Sequence, residues 1–265
     1  MTALPAYETP RRVTPQATVV LAANPGIMTL DGTNTWLLRA PDSPDAVVID
    51  PGPSDDAHLA AVVAAAGRVA AILLTHGHPD HSDGAARLHA LTGAPVRALD
   101  PGYRLGSEGL GEGDVVAAAG VELRVWATPG HTSDSLSFLL SSDDAPAVLT
   151  GDTILGRGTT VVAYPDGDLG AYLASLHRLR ALDDATVLPG HGPELAAAGE
   201  AASVYLAHRE QRLEQVRAAL GALGPDASAR AVVEHVYTDV DPVLWPAAEL
   251  SVQAQLAYLR AEGAG

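Results

Sequence analysis

The chain contains no cysteine. Disulfide scaffolds, thiol nucleophiles, iron–sulfur clusters and thiolate-held metals are thereby excluded, and any metal chemistry falls to nitrogen and oxygen donors. Lysine is absent too: the 16 basic residues are all arginine, against 32 acidic ones, for a formal charge of −16. A chain this acidic repels polyanions at long range, which argues against general nucleic-acid binding unless arginines cluster or cations are bound. Long apolar runs are also missing. The longest, such as Ala60–Ala66 and Val69–Leu74, fall far short of the roughly 20 residues a membrane-spanning helix needs. Met1 to Arg12, with Pro5, Glu8 and Pro10, has no apolar core of the kind a signal peptide carries. A cytoplasmic protein with no membrane partner is the expectation.

What is present belongs to a globular protein. Of 265 residues, 47% are hydrophobic and 18% charged, and a chain of this length buries roughly 70–75% of its unfolded surface without staples. Length alone gives one large domain or one with a small appendage. The first two-thirds reads as short strands broken by Gly, Pro and Asp: Ala17–Leu21, Asn34–Arg39, Ala46–Ile49, Val69–Leu74, Val121–Ala127, Ser135–Leu140, Ala147–Thr150 and Thr186–Leu188. Ser54 reads as the N-cap of a helix that buries Leu59, Val62 and Val63 and stops at Gly67. A second helix spans Ala85–Leu91, and Leu169, Tyr172, Leu173, Leu176 and Leu179 recur at helical spacing as one apolar stripe. This pattern predicts layered sheets covered by helices rather than a doubly wound parallel sheet. After Pro193 strand signals fade, and helices are expected around Leu206–Leu220, Arg230–Tyr237 and Pro246–Ala261. The expected division is therefore 1–193 and a small helical unit at 194–265.

Chemistry concentrates in Thr75-His76-Gly77-His78-Pro79-Asp80-His81, directly after a buried strand. Histidines two apart in an extended loop project to one side, and Asp80 and His81 can then serve a second centre close by. Imidazole with carboxylate suits Zn2+, Mn2+ or Fe2+. Three further strand-end turns each offer a ligand beside glycine: Gly130-His131, Gly151-Asp152 and Gly190-His191. A glycine leaves room for an ion. Together they supply five His and two Asp, enough for two divalent ions sharing one carboxylate. His58, His89, His177, His208 and His235 read as surface or satisfied core histidines.

This His-x-His-x-Asp-His motif, followed by single His, Asp and His, resembles the metallo-β-lactamase superfamily. Asn24-Pro25-Gly26, Thr29–Thr35, Thr128–Thr132, Gly151–Gly156 and Pro189–Pro193 resemble its β-lactamase-like protein 2 branch, which carries a small C-terminal winged-helix-like domain. The resemblance implies an α/β fold, a four-layer αββα sandwich with the site at one edge. It implies one metal held by His76, His78 and His131, a second by Asp80, His81 and His191, and Asp152 between them. Flavodiiron relatives carry Glu where this chain has His78, which speaks against a redox role. Relatives with a Cys ligand are excluded outright.

Two ions about 3.5–4 Å apart can hold one water as a bridging hydroxide near neutral pH. Such a hydroxide attacks a carbonyl or phosphoryl centre, with Asp80 and Asp152 as the carboxylates at the reacting atoms. Ser133 and Ser135 read as turn hydroxyls rather than nucleophiles. Ligating imidazoles need acceptors for their other N–H, and Asp50 and Asp134 are the candidates. Arg157, Thr159 and Thr160 are expected to line the substrate entrance. The leading expectation is hydrolysis of a small acyl substrate, a thioester, ester or lactone. The alternatives are a phosphodiesterase acting on single-stranded RNA through Arg209, Arg212 and Arg217, and a mononuclear iron dioxygenase using a subset of the ligands. A DNA-contacting tail is disfavoured because the tail is not basic: from Glu194 to Gly265 ten acids stand against five arginines. The tail is expected instead to cover the edge of the site or to form a homodimer surface.

Overall fold

The computed structural model describes residues 6–142, 146–238 and 240–263; residues 1–5, the start of the N-terminal segment expected to carry no leader, lie outside them. One sheet runs in chain order through β1 (Arg11–Arg12), β2 (Ala17–Leu21), β3 (Asn34–Leu38), β4 (Asp45–Ile49), β5 (Arg68–Leu73) and β6 (Val96–Arg97). Its first four strands are antiparallel neighbours, and β4, β5 and β6 run parallel. The second sheet has the order β11-β10-β9-β8-β7, formed by β7 (Val115–Ala118), β8 (Val121–Ala127), β9 (Leu136–Leu140), β10 (Ala147–Gly151) and β11 (Thr186–Pro189). Only the β10–β11 pair in it is parallel.

Side-chain parity along these strands creates the layers, because successive residues point to opposite faces. Val47, Ile49 and Leu73 face inward and meet Leu123, Val125, Phe138, Leu149 and Leu188 of the other sheet. Their neighbours Ala46, Val48 and Ile72 face outward onto Leu59 and Val62 of α1 (Asp56–Ala66), with α2 (Pro79–Ser82) leading into α3 (Gly84–Thr92), which adds Leu88. On the far side Val148 and Val187 pack against Leu176 and Leu179 of α4 (Leu169–Arg180) and Ala202 and Leu206 of α5 (Ala198–Leu223). The result is an α/β sandwich in four layers, helix–sheet–sheet–helix.

Several local readings shift. Asp55, not Ser54, caps α1, its carboxylate accepting the His58 N–H, since it sits where its oxygen reaches a free donor of the first turn. His58 and Ala66 are buried in α1 while Val63 is only half-buried. Gly93 closes α3 in the left-handed conformation at φ 74°. Strands β1 and β6 are two residues long and β7 reads Val-Val-Ala-Ala, so none carries an alternation strong enough to see in the sequence.

α5 spans 26 residues, about 39 Å, and links two cores. Ala198, Ala202, Tyr205 and Leu206 join the cluster around α4. Val216 and Ala219 join a second cluster with Val232 and Val233 of α6 (Ala229–Val236) and Val252 and Leu256 of α7 (Trp245–Gly263). Apolar packing is thus continuous across position 193. Among the described residues every regular element after β11 is helical, and no helix is long and apolar enough to cross a membrane.

The arginines considered for phosphate binding are engaged within the chain. Arg209 is buried, donates to the Thr160 carbonyl and lies 5.0 Å from the Tyr172 ring centre. Arg212 lies over Tyr237 at 4.6 Å and donates to Gln215. Arg217 bridges Glu214 and Glu262. Phe138, the chain's single phenylalanine, is fully buried between the sheets. Replacing it with Ala is expected to cost about 3–5 kcal/mol, read as a lowered midpoint in chemical denaturation.

Candidate metal centre

The chemistry-bearing residues come from strand ends on one edge of the sandwich. His76 and His78 follow β5, and Pro79 at the first turn of α2 carries the chain directly into Asp80 and His81. His131 lies in the turn between β8 and β9, Asp152 just past β10, and His191 just past β11. Two glycines permit the approach. A Cβ on Gly190 would sit 2.5 Å from Asp152 Oδ1 and 2.7 Å from His81 Cε1. Gly130, at φ 135°, passes so close to α4 that a Cβ would lie 2.3 Å from the Tyr172 Cα.

All seven predicted ligand residues meet here. His78 Nδ1 lies 3.0 Å from His76 Nε2 and 3.1 Å from His131 Nε2. His81 Nε2 lies 3.1 Å from His191 Nε2, and Asp80 Oδ2 is also 3.1 Å from that nitrogen. Asp152 stands between the two groups, with Oδ1 3.4 Å from His81 Nε2 and Oδ2 3.4 Å from His191 Nε2 and 3.8 Å from His131 Nε2. Three sets fall within ion-holding reach: His76, His78 and His131; His76, His81 and Asp152; and Asp80, His81 and His191.

The opposite ring nitrogens explain why these atoms face one another. Nδ1–H of His81 donates to Asp50 at 2.9 Å, that of His131 to the Val161 carbonyl at 2.7 Å, that of His191 to the Gly32 carbonyl at 3.0 Å, and that of His76 to the Thr75 hydroxyl at 3.0 Å. With the proton committed at Nδ1, each Nε2 turns a lone pair inward. Lone pairs 3 Å apart repel unless a proton or a cation lies between them. Asp152 Oδ1 is buried without a hydrogen-bond partner, a costly state for a carboxylate oxygen. Converging nitrogen lone pairs around an unpartnered carboxylate are a donor set that fits divalent cations.

The carboxylates and imidazoles also shift one another's affinity for protons. Burial opposes charge on His191, yet the Asp152 and Asp80 carboxylates raise its pKa to about 9. Burial likewise opposes charge on His81, but Asp152 and Asp50 hold it well above the usual range. Asp152 stays well below the usual carboxylate range despite its burial, because His191 and His81 favour its charge. Asp80 is lowered against the pull of burial by its bond to His191 and by His81. His76 and His131 shift down, chiefly through burial and secondarily through the surrounding imidazoles.

Of the two carboxylates expected behind the imidazoles, only Asp50 takes that position. It adopts φ 51°, a backbone conformation Asp tolerates better than most residues, and accepts from His81, the Thr75 N–H and the Thr75 hydroxyl. Among the described residues Asp134 makes no bond to any imidazole. It is half-buried in a polar recess beyond His78, because backbone carbonyls already serve His131 and His191. No local pattern signals a further layer: fully buried His58 joins Glu8 (2.6 Å) to the Thr35 hydroxyl (2.9 Å), which donates to the Asp50 carbonyl (2.7 Å). Arg157 and Thr159 do line the cavity at the centre, with Ile27, Met28, Leu30 and Leu155. The guanidinium of Arg157, however, is paired with Asp31.

The family model described as metallo-beta-lactamase superfamily matches residues 28–191, and that for the beta-lactamase associated winged helix domain matches 228–264. The chain is 30% identical over 272 residues to the beta-lactamase-like protein 2 homolog of Drosophila melanogaster, covering 95% of this chain and 90% of that one. It is 32% identical over 216 residues to an atrochrysone carboxyl ACP thioesterase of Aspergillus fumigatus, covering 78% of this chain and 66% of the relative. In fold it resembles the crystal structure of a beta-lactamase domain protein from Burkholderia ambifaria, with TM-score 0.81, 24% identity, and 99% and 91% of the two chains covered.

Two outcomes follow from the proton and hydrogen-bond arrangement. The folded, ion-free protein holds the His191 proton more tightly than the unfolded chain. That contribution to stability is complete below about pH 6.5 and is lost as pH rises through about 9. Cation binding near pH 7.5 is accordingly expected to release protons, seen in calorimetry as a dependence of heat on buffer ionisation enthalpy. Asp50→Ala is expected to weaken ion binding by about 10–100-fold in competition with a chromophoric chelator, and Asp134→Ala to leave it unchanged.

Proposed function

The chain belongs to the metallo-β-lactamase superfamily, and from that premise we propose that it is a hydrolase using two divalent metal ions, Zn2+ foremost, to cleave an acyl bond in a thioester, ester or lactone. The observation that carries this reading is the inward convergence of imidazole lone pairs around the unpartnered Asp152 Oδ1. His76, His78 and His131 would hold one ion, Asp80, His81 and His191 the other, and Asp152 both. Seven converging groups exceed what a single iron requires, which favours two ions over a mononuclear dioxygenase centre.

When bound, such ions supply Lewis-acid polarisation of a carbonyl and a water acidic enough to attack near neutral pH. The remaining work is done by the chain. Asp50, Val161 and Gly32 hold three imidazoles in the tautomer that leaves Nε2 free. Asp80, with its side chain 27% exposed against 10% for Asp152, is the group we assign to carry a proton from the attacking water to the departing thiolate or alkoxide. Ile27 and Met28, exposed at 59% and 53%, are available to shield the scissile carbonyl from bulk water.

Charge supports an acyl substrate over a phosphodiester. Among the described residues lining the central cavity, the one arginine is paired with Asp31. The recess beyond His78 is lined by Asp100, Asp134 and Asp166, which repel a polyanionic chain. A relative named as an ACP thioesterase supports the thioester.

Purified protein is expected to contain about two divalent ions per chain by elemental analysis, and chelation to abolish turnover of short acyl thioesters, with restoration by Zn2+. Asp152→Ala is expected to lose ions and turnover together. Full activity in the metal-free protein, or cleavage confined to RNA and phosphodiesters across a substrate panel, would overturn the reading.

A further inference from the structure

The cavity at the metal centre borders two spaces of opposite character. Through Leu155, Arg157 and Gly158 it shares a wall with a groove of about 360 Å³. Through His78 it shares a wall with a recess of about 200 Å³. The groove is lined by the 155–158 segment, by Leu195, Ala196 and Ala197, and by Ala201, Val204 and Tyr205 from the first turns of α5. Among the described residues its charged lining groups are Glu200 and the Arg157 already held by Asp31. The recess instead presents Tyr103, Thr132, Ser133, Asp134 and Asp166.

The groove is also a fixed shape. Tyr205 is buried, and its hydroxyl accepts the Leu155 N–H at 2.9 Å, tying the wall shared with the metal centre to α5. Gly156 lies directly on the following strand-end turn, where a Cβ would come within 2.0 Å of the Pro193 carbonyl oxygen. Val204 remains 61% exposed on the far wall, an apolar side chain facing an apolar trough that none of the described residues fills.

Resting on the acyl-hydrolase reading above, we propose that this groove receives the aliphatic chain of the acyl group, so that the enzyme prefers long-chain over short-chain substrates. A hydrocarbon chain asks for no hydrogen bonds and gains from burial here. A leaving group with amides would leave them unpaired against Leu, Ala and Val, and finds polar partners in the recess on the His78 side. The acyl carbonyl then lies between the two, at the metal centre, with the chain toward α5.

The test is a series of N-acetylcysteamine thioesters from acetyl to decanoyl with metal-loaded protein, paired with methyl NMR of Leu and Val during titration with 1-octanol, a neutral probe that needs no metal. Expected are a kcat/KM rising with chain length, by up to roughly fourfold per buried methylene, and octanol shifts at Leu155 and Val204. In Val204→Arg the dependence on chain length is expected to flatten and the octanol shifts to vanish. Hydrolysis that is equal for all chain lengths, with no octanol shift at these methyls, overturns the groove while leaving the hydrolase intact. Octanol binding at Leu155 and Val204 without hydrolysis of any thioester, ester or lactone supports the groove and overturns the acyl-hydrolase reading instead.

Discussion

The arrangement on which the rest depends is electrostatic: imidazole nitrogens held about 3 Å apart with their lone pairs inward. Left alone, this is repulsive, and the Asp152 carboxylate offsets part of it by favouring positive charge on the imidazoles of His81 and His191. The outward hydrogen bonds to Asp50, Thr75, Val161 and Gly32 prevent the rings from turning away. Stability in the ion-free state and affinity for a cation are therefore two consequences of one geometry. A site pre-organised in this way loses little ordering entropy when an ion enters.

The sandwich supplies the rigidity this requires. Strands β5, β10 and β11 are buried on both faces, so their ends cannot drift relative to one another, and each ends at a ligand-bearing turn. The residues immediately behind the ligands are also anchored: Asn34 donates to the Pro189 and Gly192 carbonyls, and Trp36 Nε1 donates to Pro189 as well. Helix α5 extends this support from outside, since buried Arg209 holds the Thr160 carbonyl next to the Val161 that positions His131. The C-terminal helices thus contribute to the centre without supplying a ligand.

The legible part of the site was the part written in local spacing. His76, His78, Asp80 and His81 share one strand-to-helix turn, and chain connectivity alone brings them together. His131, Asp152 and His191 were readable as glycine-flanked strand ends, and Asp50 as a carboxylate closing β4. Asp134 has the same sequence credentials and a different role, because carbonyls from distant loops reached the imidazoles first. Glu8, His58 and Thr35 were not readable: they come from a turn before β1, from α1 and from β3, and meet only through packing of α1 on the first sheet. The short strands β1, β6 and β7 were missed for a related reason, since each is defined by its neighbour's hydrogen bonds more than by its own residues.

Composition and local spacing set the chemistry available: no thiolate, no lysine, a clustered imidazole–carboxylate set, and strands whose alternating apolar residues require helices on both outer faces. Those properties follow from composition and from periods of two and 3.6 residues, which are local. Tertiary structure alone decided which tautomer each histidine holds, which aspartate backs the centre, and that Arg157, Arg209, Arg212 and Arg217 are engaged within the chain. It also decided that an apolar groove lies against one side of the site and a polar recess against the other. These depend on distances between residues far apart in the chain, and only packing of the sheets and helices fixes them.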